Sequence, residues 1–449
     1  MISLVPRTLG PCTLPSPLGL STVQGDGVPD YVPDGARIVG NIEVIEGEVP
    51  EIGPLIEKAG PRERIFFDPQ KTRAGVVTCG GLCPGINNVV RSIVLQLWFK
   101  YGVRSITGFK NGFEGLDPDA DALSMPLDPD VVRGIHTLGG TILGTSRGGH
   151  DAARMVDRLL ADRVDVLFAI GGDGTMRGLH ALGEEAERRG AKLALVGIPK
   201  TIDNDIPFVD KTFGFETAVE VARSAIAAAH TEAVSTKRGL GLVKLMGRDS
   251  GFIAAYASIA SRDVNACLVP EVRFALEGEY GLLPWLERRM SGRGHAVVVV
   301  AEGCAETLGL AGGERDASGN ARYASDELDA GKFLKRRIEA HFRAAGQPLT
   351  LKYIDPSYMI RGVAANANDA VFCDELARHA VHAAMAGKTD VLVGRWHRTF
   401  THVPLSEVLG KKKRIDPDRD LWLAVTESTG QPRFSPPSER RSQRPFPVA

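Results

Sequence analysis

From Ala74 onward the chain alternates two hydrophobic periods. Short β-branched apolar runs end in glycine loops and are followed by stretches with helical spacing. The runs are Ala74–Thr78, Asp165–Ile170, Leu193–Ile198, Leu240–Leu245, Ala296–Ala301 and Asp390–Val393. After the first of them, Ile86, Val89, Val90, Ile93, Val94 and Leu97 mark one face of a helix. Strand, glycine loop and helix in repeated order predict βαβ units and parallel sheets. That many strands predict an α/β protein of two doubly wound lobes. Residues 1–72 lack sustained periodicity and hold Pro/Gly clusters such as Pro29–Gly35. They read as an N-terminal extension with one short strand near Ile38 to Val44. The end, 434–449, is rich in Pro, Ser and Arg and reads as a disordered tail. No repeat of roughly 20–50 residues and no heptad pattern is visible.

Composition narrows the partners. Of 449 residues 43% are hydrophobic, enough for large cores, so disorder is excluded for the bulk of the chain. Lys+Arg number 54 against 55 Asp+Glu, and a net charge of -1 leaves no electrostatic footprint for nucleic acid or an anionic membrane. Small-molecule partners are expected. The longest strongly apolar run, Ala296–Ala301, is far short of the roughly 20 residues of a bilayer span. Prolines at 6, 11, 15 and 17 argue against a secretory signal, and the acidic stretch Glu43–Glu57 against a transit peptide, so a cytoplasmic address is expected.

Six scattered cysteines do not form a disulfide framework, and reduced thiols are expected. Cys79 and Cys83 come nearest to a metal motif, but no second ligand pair completes it, and they read as loop thiols. His379 and His382 stand one helical turn apart without a third ligand and read as a solvated helix face. The basic run Lys411–Arg414 precedes Asp416, Asp418 and Asp420 and reads as a solvated charged loop.

Three motifs carry the candidate chemistry. Thr78-Cys79-Gly80-Gly81-Leu82-Cys83-Pro84-Gly85 lies between a strand and a helix. Its glycines let backbone N–H groups approach an anion, and the helix N-terminus adds partial positive charge. A tight turn without ligand would look the same. Ile170-Gly171-Gly172-Asp173-Gly174-Thr175 follows a buried strand, where open α/β sheets bind ligands. A carboxylate exposed between glycines there suits Mg²⁺ on phosphate oxygens; a helix-capping Asp is the alternative. Pro199-Lys200-Thr201-Ile202-Asp203-Asn204-Asp205 gathers two carboxylates, a hydroxyl and a lysine at a strand end, which suits a base and phosphoryl contacts, or an Asx-turn network.

In this order the three motifs resemble the phosphofructokinase family. The resemblance runs from about Ala74 to Pro432, through Gly144-Thr145-Ser146-Arg147-Gly148-Gly149, Met246-Gly247-Arg248-Asp249-Ser250-Gly251, Ala301-Glu302-Gly303 and Tyr358-Met359-Ile360-Arg361. It implies two similar α/β lobes with the active site between them. Residues 73–214 with about 362–410 would take the phosphoryl donor, and 215–361 with about 411–433 would take fructose 6-phosphate. It places Gly80, Gly81, Arg147, Gly148, Gly172, Asp173, Gly174, Thr175 and Lys200 at the donor, with Asp173 on Mg²⁺. It makes Asp203 the general base on the sugar 1-hydroxyl, assisted by Thr201, Arg248 and Arg147. Thr201, Ile202, Asp203, Met246, Gly247, Arg248, Glu302, Lys352, Tyr358, Met359, Ile360 and Arg361 fall on sugar-phosphate positions. A homo-oligomer, dimer or tetramer, is implied as well. Near Arg238 the match shifts by a residue, and Arg238 is not assigned to the site.

Two residues bear on the donor. A lysine at position 200 is associated with pyrophosphate users, whereas those users generally carry Asp where this chain has Gly174. The mixture resembles the long ATP-dependent members of plants, trypanosomatids and some bacteria. The resemblance therefore implies ATP-dependent phosphorylation of fructose 6-phosphate. A pyrophosphate-dependent phosphotransferase is one alternative, and a non-catalytic sugar-phosphate-binding or nucleotide-binding paralogue is another. Intact Asp173, Thr201, Asp203 and Arg248 weigh against the latter.

Overall fold

The computed structural model describes residues 3–119, 124–148, 151–310 and 328–436. The chain divides into two compact units, Met1–Thr201 with Ile206–Gly214 and Gly362–Lys411, and Ile202–Asp205 with Phe215–Arg361 and Lys412–Ala449.

In the first unit the strands Val391–Trp396, Ala194–Pro199, Val166–Gly171, Arg73–Thr78 and Ser105–Phe109 lie side by side and parallel. Val166–Gly171 and Ala194–Pro199 are buried at every position, as befits parallel strands covered on both faces. Antiparallel strands extend the sheet on both sides, Ser124–Pro126 on Ser105–Phe109 and Thr399–Pro404 on Val391–Trp396. The register sets Thr78 beside Ile170 and Gly171 beside Pro199, so three glycine- and lysine-bearing turns leave the sheet from one edge.

The N-terminal extension is more structured than its pattern predicts. Ser3–Leu4, Arg37–Val39 and Leu55–Lys58 join the main sheet, Arg7–Thr8 pairs with Lys388–Thr389, and Leu14–Pro15 pairs with Arg64–Ile65. The expected strand near Ile38 is present but ends at Val39. Strands of two to four residues are too short to show a period of two, and they form by adding to an existing edge.

The histidine pair is corrected by the structure. The helix Ala367–Met385 packs against both the helix Ile86–Leu95 and the strand Ala194–Pro199, so its supposed solvent face is covered. His382 Nδ1 lies 2.8 Å from the Tyr101 hydroxyl, and the His379 ring stacks on Phe400 with centroids 4.3 Å apart. Burial pushes the His382 ring down to about 3, so it is neutral at neutral pH.

A buried carboxylate anchors the extension. Glu57 is 1% exposed and meets His402 Nδ1 at 2.8 Å and Lys388 Nζ at 2.9 Å. Burial pushes its pKa up, but the His402 hydrogen bond and the Lys388 charge outweigh it and hold Glu57 at about 2. Burial lowers His402, whose Nε2 finds no partner among the described residues; the neutral ring donates from Nδ1 and Lys388 supplies the charge. A carboxyl held below its ordinary value stabilises the fold once pH exceeds the unfolded value. Glu57→Gln should therefore lower the urea midpoint at pH 7. The gap to the parent should close as pH falls from the unfolded carboxyl value toward the folded one. A gap independent of pH would show that the charge of Glu57 is not what stabilises the fold.

In the second unit Ala266–Leu268, Ala296–Ala301, Gly239–Leu245 and Thr350–Ile354 form a four-stranded sheet, parallel throughout. The helix Phe215–Ser235 lies directly on Gly239–Leu245, where a Cβ at Gly241 would stand 2.9 Å from Ala229 O. The start of the expected tail is ordered. Gln431 pairs through its amide with both Cys267 N and Cys267 O, and the Phe434 ring packs edge-on to Trp285 at 5.3 Å. The rest of that tail, 437–449, lies outside the described residues. Among the described residues no helix is long and apolar enough to cross a membrane.

Candidate active site

The first unit gathers the donor motifs. Gly80 has φ +82°, a left-handed value that glycine adopts without strain. Its N–H donates to Ser146 O at 3.0 Å, and the Thr145 hydroxyl donates to Gly80 O, so the turn around Arg147 is bound to the first glycine loop. Arg147 is exposed, Gly148 has φ +141°, and Gly149 lies outside the described residues. Gly172 caps the helix Asp173–Arg188 without a side chain, which removes the capping alternative for Asp173. Asp173, Gly174 and Thr175 form the first turn, where unpaired N–H groups and the helix dipole favour an anion. The Asp173 carboxylate lies 3.2 Å from Arg177. Lys200 is 6% exposed, donates its backbone N–H to Gly171 O at 2.8 Å and donates Nζ to Gly81 O at 2.6 Å. It thereby ties the third motif to the first. Thr201 O accepts from the Thr212 hydroxyl at 2.6 Å.

Among the described residues no three carboxylates, histidines or cysteines cluster as a metal cage. Mg²⁺ does not require one, since it takes one or two carboxylates and completes its shell with phosphate oxygens and water. Asp173 at a phosphate-receptive helix start fits that requirement. Cys79 and Cys83 do not compete for it: both are buried, and burial pushes the Cys79 thiol up to about 12.

The second unit gathers the acceptor motifs. Ile202 is buried, and Asn204 bends the segment Ile202–Asp205 with φ +56°. Asp203 O accepts from the Ser250 hydroxyl at 2.9 Å. Met246, Gly247 and Arg248 leave the strand Gly239–Leu245, and Glu302 and Gly303 leave its neighbour Ala296–Ala301. A bond from Gly303 N to Gly247 O clamps the two turns at 3.0 Å. The approach is so close that a Cβ at Gly303 would lie 2.0 Å from Arg248 O. Arg248 keeps its Nε buried with no hydrogen-bond partner among the described residues, and Arg361 Nε lies 3.4 Å from Met246 Sδ. The helix Ser357–Gly362 buries Ile360 and leaves Tyr358 89% and Met359 69% exposed. Lys352 stands apart: it sits in mid-strand on Thr350–Ile354, and its ammonium lies 3.8 Å from Glu232.

Burial, then the charges of Asp205 and Glu302, raise the Asp203 carboxyl to about 7 against the opposing pull of Lys412 and Arg248. Burial likewise raises Glu302, opposed by Arg248 and Arg361. A carboxyl titrating near neutrality can take a proton from a hydroxyl, and the arginines can hold phosphate oxygens.

Sequence reasoning missed the basic run. Lys412 Nζ lies 2.6 Å from Asp205 Oδ2, Lys413 Nζ donates to Asn204 Oδ1 at 3.2 Å, and Lys413 N donates to Asp205 O at 2.8 Å. The expected solvated loop is thus docked on the acceptor segment. It also missed Glu271, which accepts from Gly251 N and Ile415 N, and Lys244, which holds Asp329 and Asp355 at 2.6 Å each. These partners are far apart in sequence, and only the twin facts of a lysine run and an acidic loop were visible.

The family model described as Phosphofructokinase matches residues 73–384. The chain is 48% identical over 439 residues to an ATP-dependent 6-phosphofructokinase of Amycolatopsis methanolica, covering 95% of this chain and 94% of that one. It is 49% identical over 385 residues to the protein of the same name from Borreliella burgdorferi, covering 84% and 85%. A solved pyrophosphate-dependent phosphofructokinase from Marinobacter aquaeolei matches the fold with a TM-score of 0.63 at 21% identity, over 82% of this chain and 93% of that one.

Proposed function

The chain belongs to the phosphofructokinase family and phosphorylates fructose 6-phosphate to fructose 1,6-bisphosphate with ATP, and we propose that Asp203 is the base, Asp173 the Mg²⁺ carboxylate and Arg248 and Arg361 the anion holders of that reaction. The observation that supports this reading best is the joining of the loops that bear Asp203, Arg248 and Glu302 by the bonds Ser250 to Asp203 O and Gly303 N to Gly247 O, where burial and the neighbouring carboxylates raise the Asp203 carboxyl to about 7.

The glycine loops at Gly80 and Gly172 and the helix start at Asp173–Thr175 offer N–H groups to the donor's phosphates. Lys200, fixed on Gly81 O, keeps a positive charge beside those loops, and Arg147 adds another from an exposed turn. Mg²⁺ bound at Asp173 would neutralise charge on the phosphate oxygens. The ionised Asp203 takes the proton of the sugar 1-hydroxyl as the hydroxyl oxygen bonds to the γ-phosphorus and the bond from that phosphorus to the β–γ bridging oxygen breaks, its electron pair leaving with ADP. Arg248, with its Nε buried and lacking a protein acceptor, is suited to the charge that develops on the transferring group. Arg361 is suited to the 6-phosphate, with the exposed Tyr358 and Met359 beside it. Lys352 would join them only by leaving Glu232.

Arg361→Ala should raise KM for fructose 6-phosphate by roughly tenfold or more while KM for ATP stays within about twofold, because a charge-assisted bond to phosphate is lost on one substrate only. Steady-state kinetics with each substrate varied in turn would check it. An equal rise for both substrates would remove Arg361 from the acceptor site.

A further inference from the structure

The return segment that begins at Lys412 is fastened to the acceptor loops at several points. Lys412 Nζ meets Asp205 Oδ2 at 2.6 Å and Asp249 Oδ2 at 3.7 Å. Lys413 N binds Asp205 O, Lys413 Nζ binds Asn204 Oδ1, and the same ammonium lies 5.2 Å from the Phe252 ring. Ile415 N and Gly251 N share the Glu271 carboxylate. Two loops are held in this way, the one that bears Asp203 and the one that bears Arg248.

The ion pair matters because of where Asp205 stands. Its side chain is 5% exposed, two residues from Asp203, and the Lys412 ammonium is in direct contact with it. Two carboxylates packed at one site cannot both ionise cheaply unless one is neutralised. We propose that Lys412 is a positioning residue for the reaction: its ion pair with Asp205 fastens the loop that bears Asp203 and offsets the Asp205 charge that acts on Asp203. The proposal rests on the reading of Asp203 as the base and extends it to a residue that does not touch the substrate.

The groups that act on Asp203 come from four segments. Asp205 shares its own segment, Arg248 follows the strand Gly239–Leu245, Glu302 follows Ala296–Ala301, and Lys412 opens the return segment. Asp249, beside Arg248, shares Lys412 with Asp205. Asp205 and Glu302 push the Asp203 proton affinity up, while Lys412 and Arg248 pull it down. Removing Lys412 takes away one of the two opposing charges and exposes the repulsion from Asp205. Asp203 then holds its proton to a higher pH.

The test is the pH profile of kcat/KM for fructose 6-phosphate at saturating ATP and Mg²⁺. In Lys412→Met the acidic limb should move up by on the order of one pH unit, an about tenfold loss below the limb with a much smaller loss on the alkaline plateau. Lys412→Arg should restore the parent profile. Asp205→Asn should move the limb the opposite way, and Lys412→Met combined with Asp205→Asn should bring it back toward the parent. A limb that stays in place while Lys412→Met lowers activity equally at all pH values would overturn the proposal, as would a double variant no closer to the parent than Lys412→Met. If Lys412→Met does not fold, the Asp205→Asn profile decides by itself, since an unmoved limb means that Asp205 charge is not felt at Asp203. Asp203→Asn separates the two readings. An unchanged limb in that variant removes Asp203 as the base, whereas loss of the limb there with none of the Lys412 shifts removes Lys412 alone.

Discussion

Asp203→Ser should lower kcat by at least roughly 10²-fold at pH 7 while fructose 6-phosphate still binds. Serine keeps a small polar group in the loop but cannot accept a proton at neutral pH. It also removes one of the three neighbouring acids Asp203, Asp205 and Glu302, so repulsion among them falls and the sugar phosphate loses no cation. The parent enzyme should show the sign of a raised carboxyl. Because Asp203 must be ionised to act and burial with two carboxylate neighbours raises it to about 7, kcat/KM should climb as pH rises through neutrality. An ordinary aspartate is half-ionised at about pH 3.9 and would have finished titrating by about pH 6. In Asp203→Ser this acidic limb should vanish together with the rate. Near-parent turnover at pH 7, or a limb that survives the substitution, would take Asp203 out of the reaction.

The sequence makes the glycine-loop edge of the first unit legible for a physical reason. Val166–Gly171 and Ala194–Pro199 are buried on both faces, so each appears as an uninterrupted apolar run, and the turns proposed to bind the donor follow directly at their ends. Local pattern also places Asp203, because the cluster Lys200–Asp205 is improbable as buried structure without a use. What local pattern cannot show is pairing across distance. Lys412 lies 207 residues from Asp205, and a lysine run reads the same whether it faces water or a carboxylate. His379 and His382 mislead for a related reason: helical spacing identifies a shared face but not whether Tyr101 and Phe400 cover it. The strands of the first 72 residues have no periodic signal of their own, since Ser3–Leu4 and Arg37–Val39 exist only as additions to Leu55–Lys58. The close contact at Gly303 is equally silent, because nothing in Glu302-Gly303 announces that Arg248 O will lie where a side chain would be.

Donor choice turns on Gly174. It lies in the first turn of the helix Asp173–Arg188, one residue after the carboxylate proposed to hold Mg²⁺ and two after the capping glycine. With the donor's phosphates at this helix start, as proposed, a nucleotide needs room there for the phosphate that links it to the sugar, and glycine supplies the room without charge. Gly174→Asp should therefore cut ATP-dependent kcat/KM severely. The added carboxylate would face the nucleotide's phosphates with a repulsion on the order of 4 kcal/mol at 4 Å and an effective dielectric near 20. Lys200 acts differently. Its ammonium is held at 2.6 Å from Gly81 O, beside the first glycine loop, where it can balance transferred phosphate whichever donor brings it. Lys200→Gly should lower turnover and leave the preference for ATP unchanged, because the steric and charge barrier at position 174 is untouched. Turnover of fructose 6-phosphate, measured side by side with saturating ATP and with pyrophosphate for the parent and both variants, would check this. Unchanged ATP kinetics in Gly174→Asp would place position 174 away from the nucleotide's phosphates, and a switch to pyrophosphate in Lys200→Gly would assign donor selection to the lysine instead.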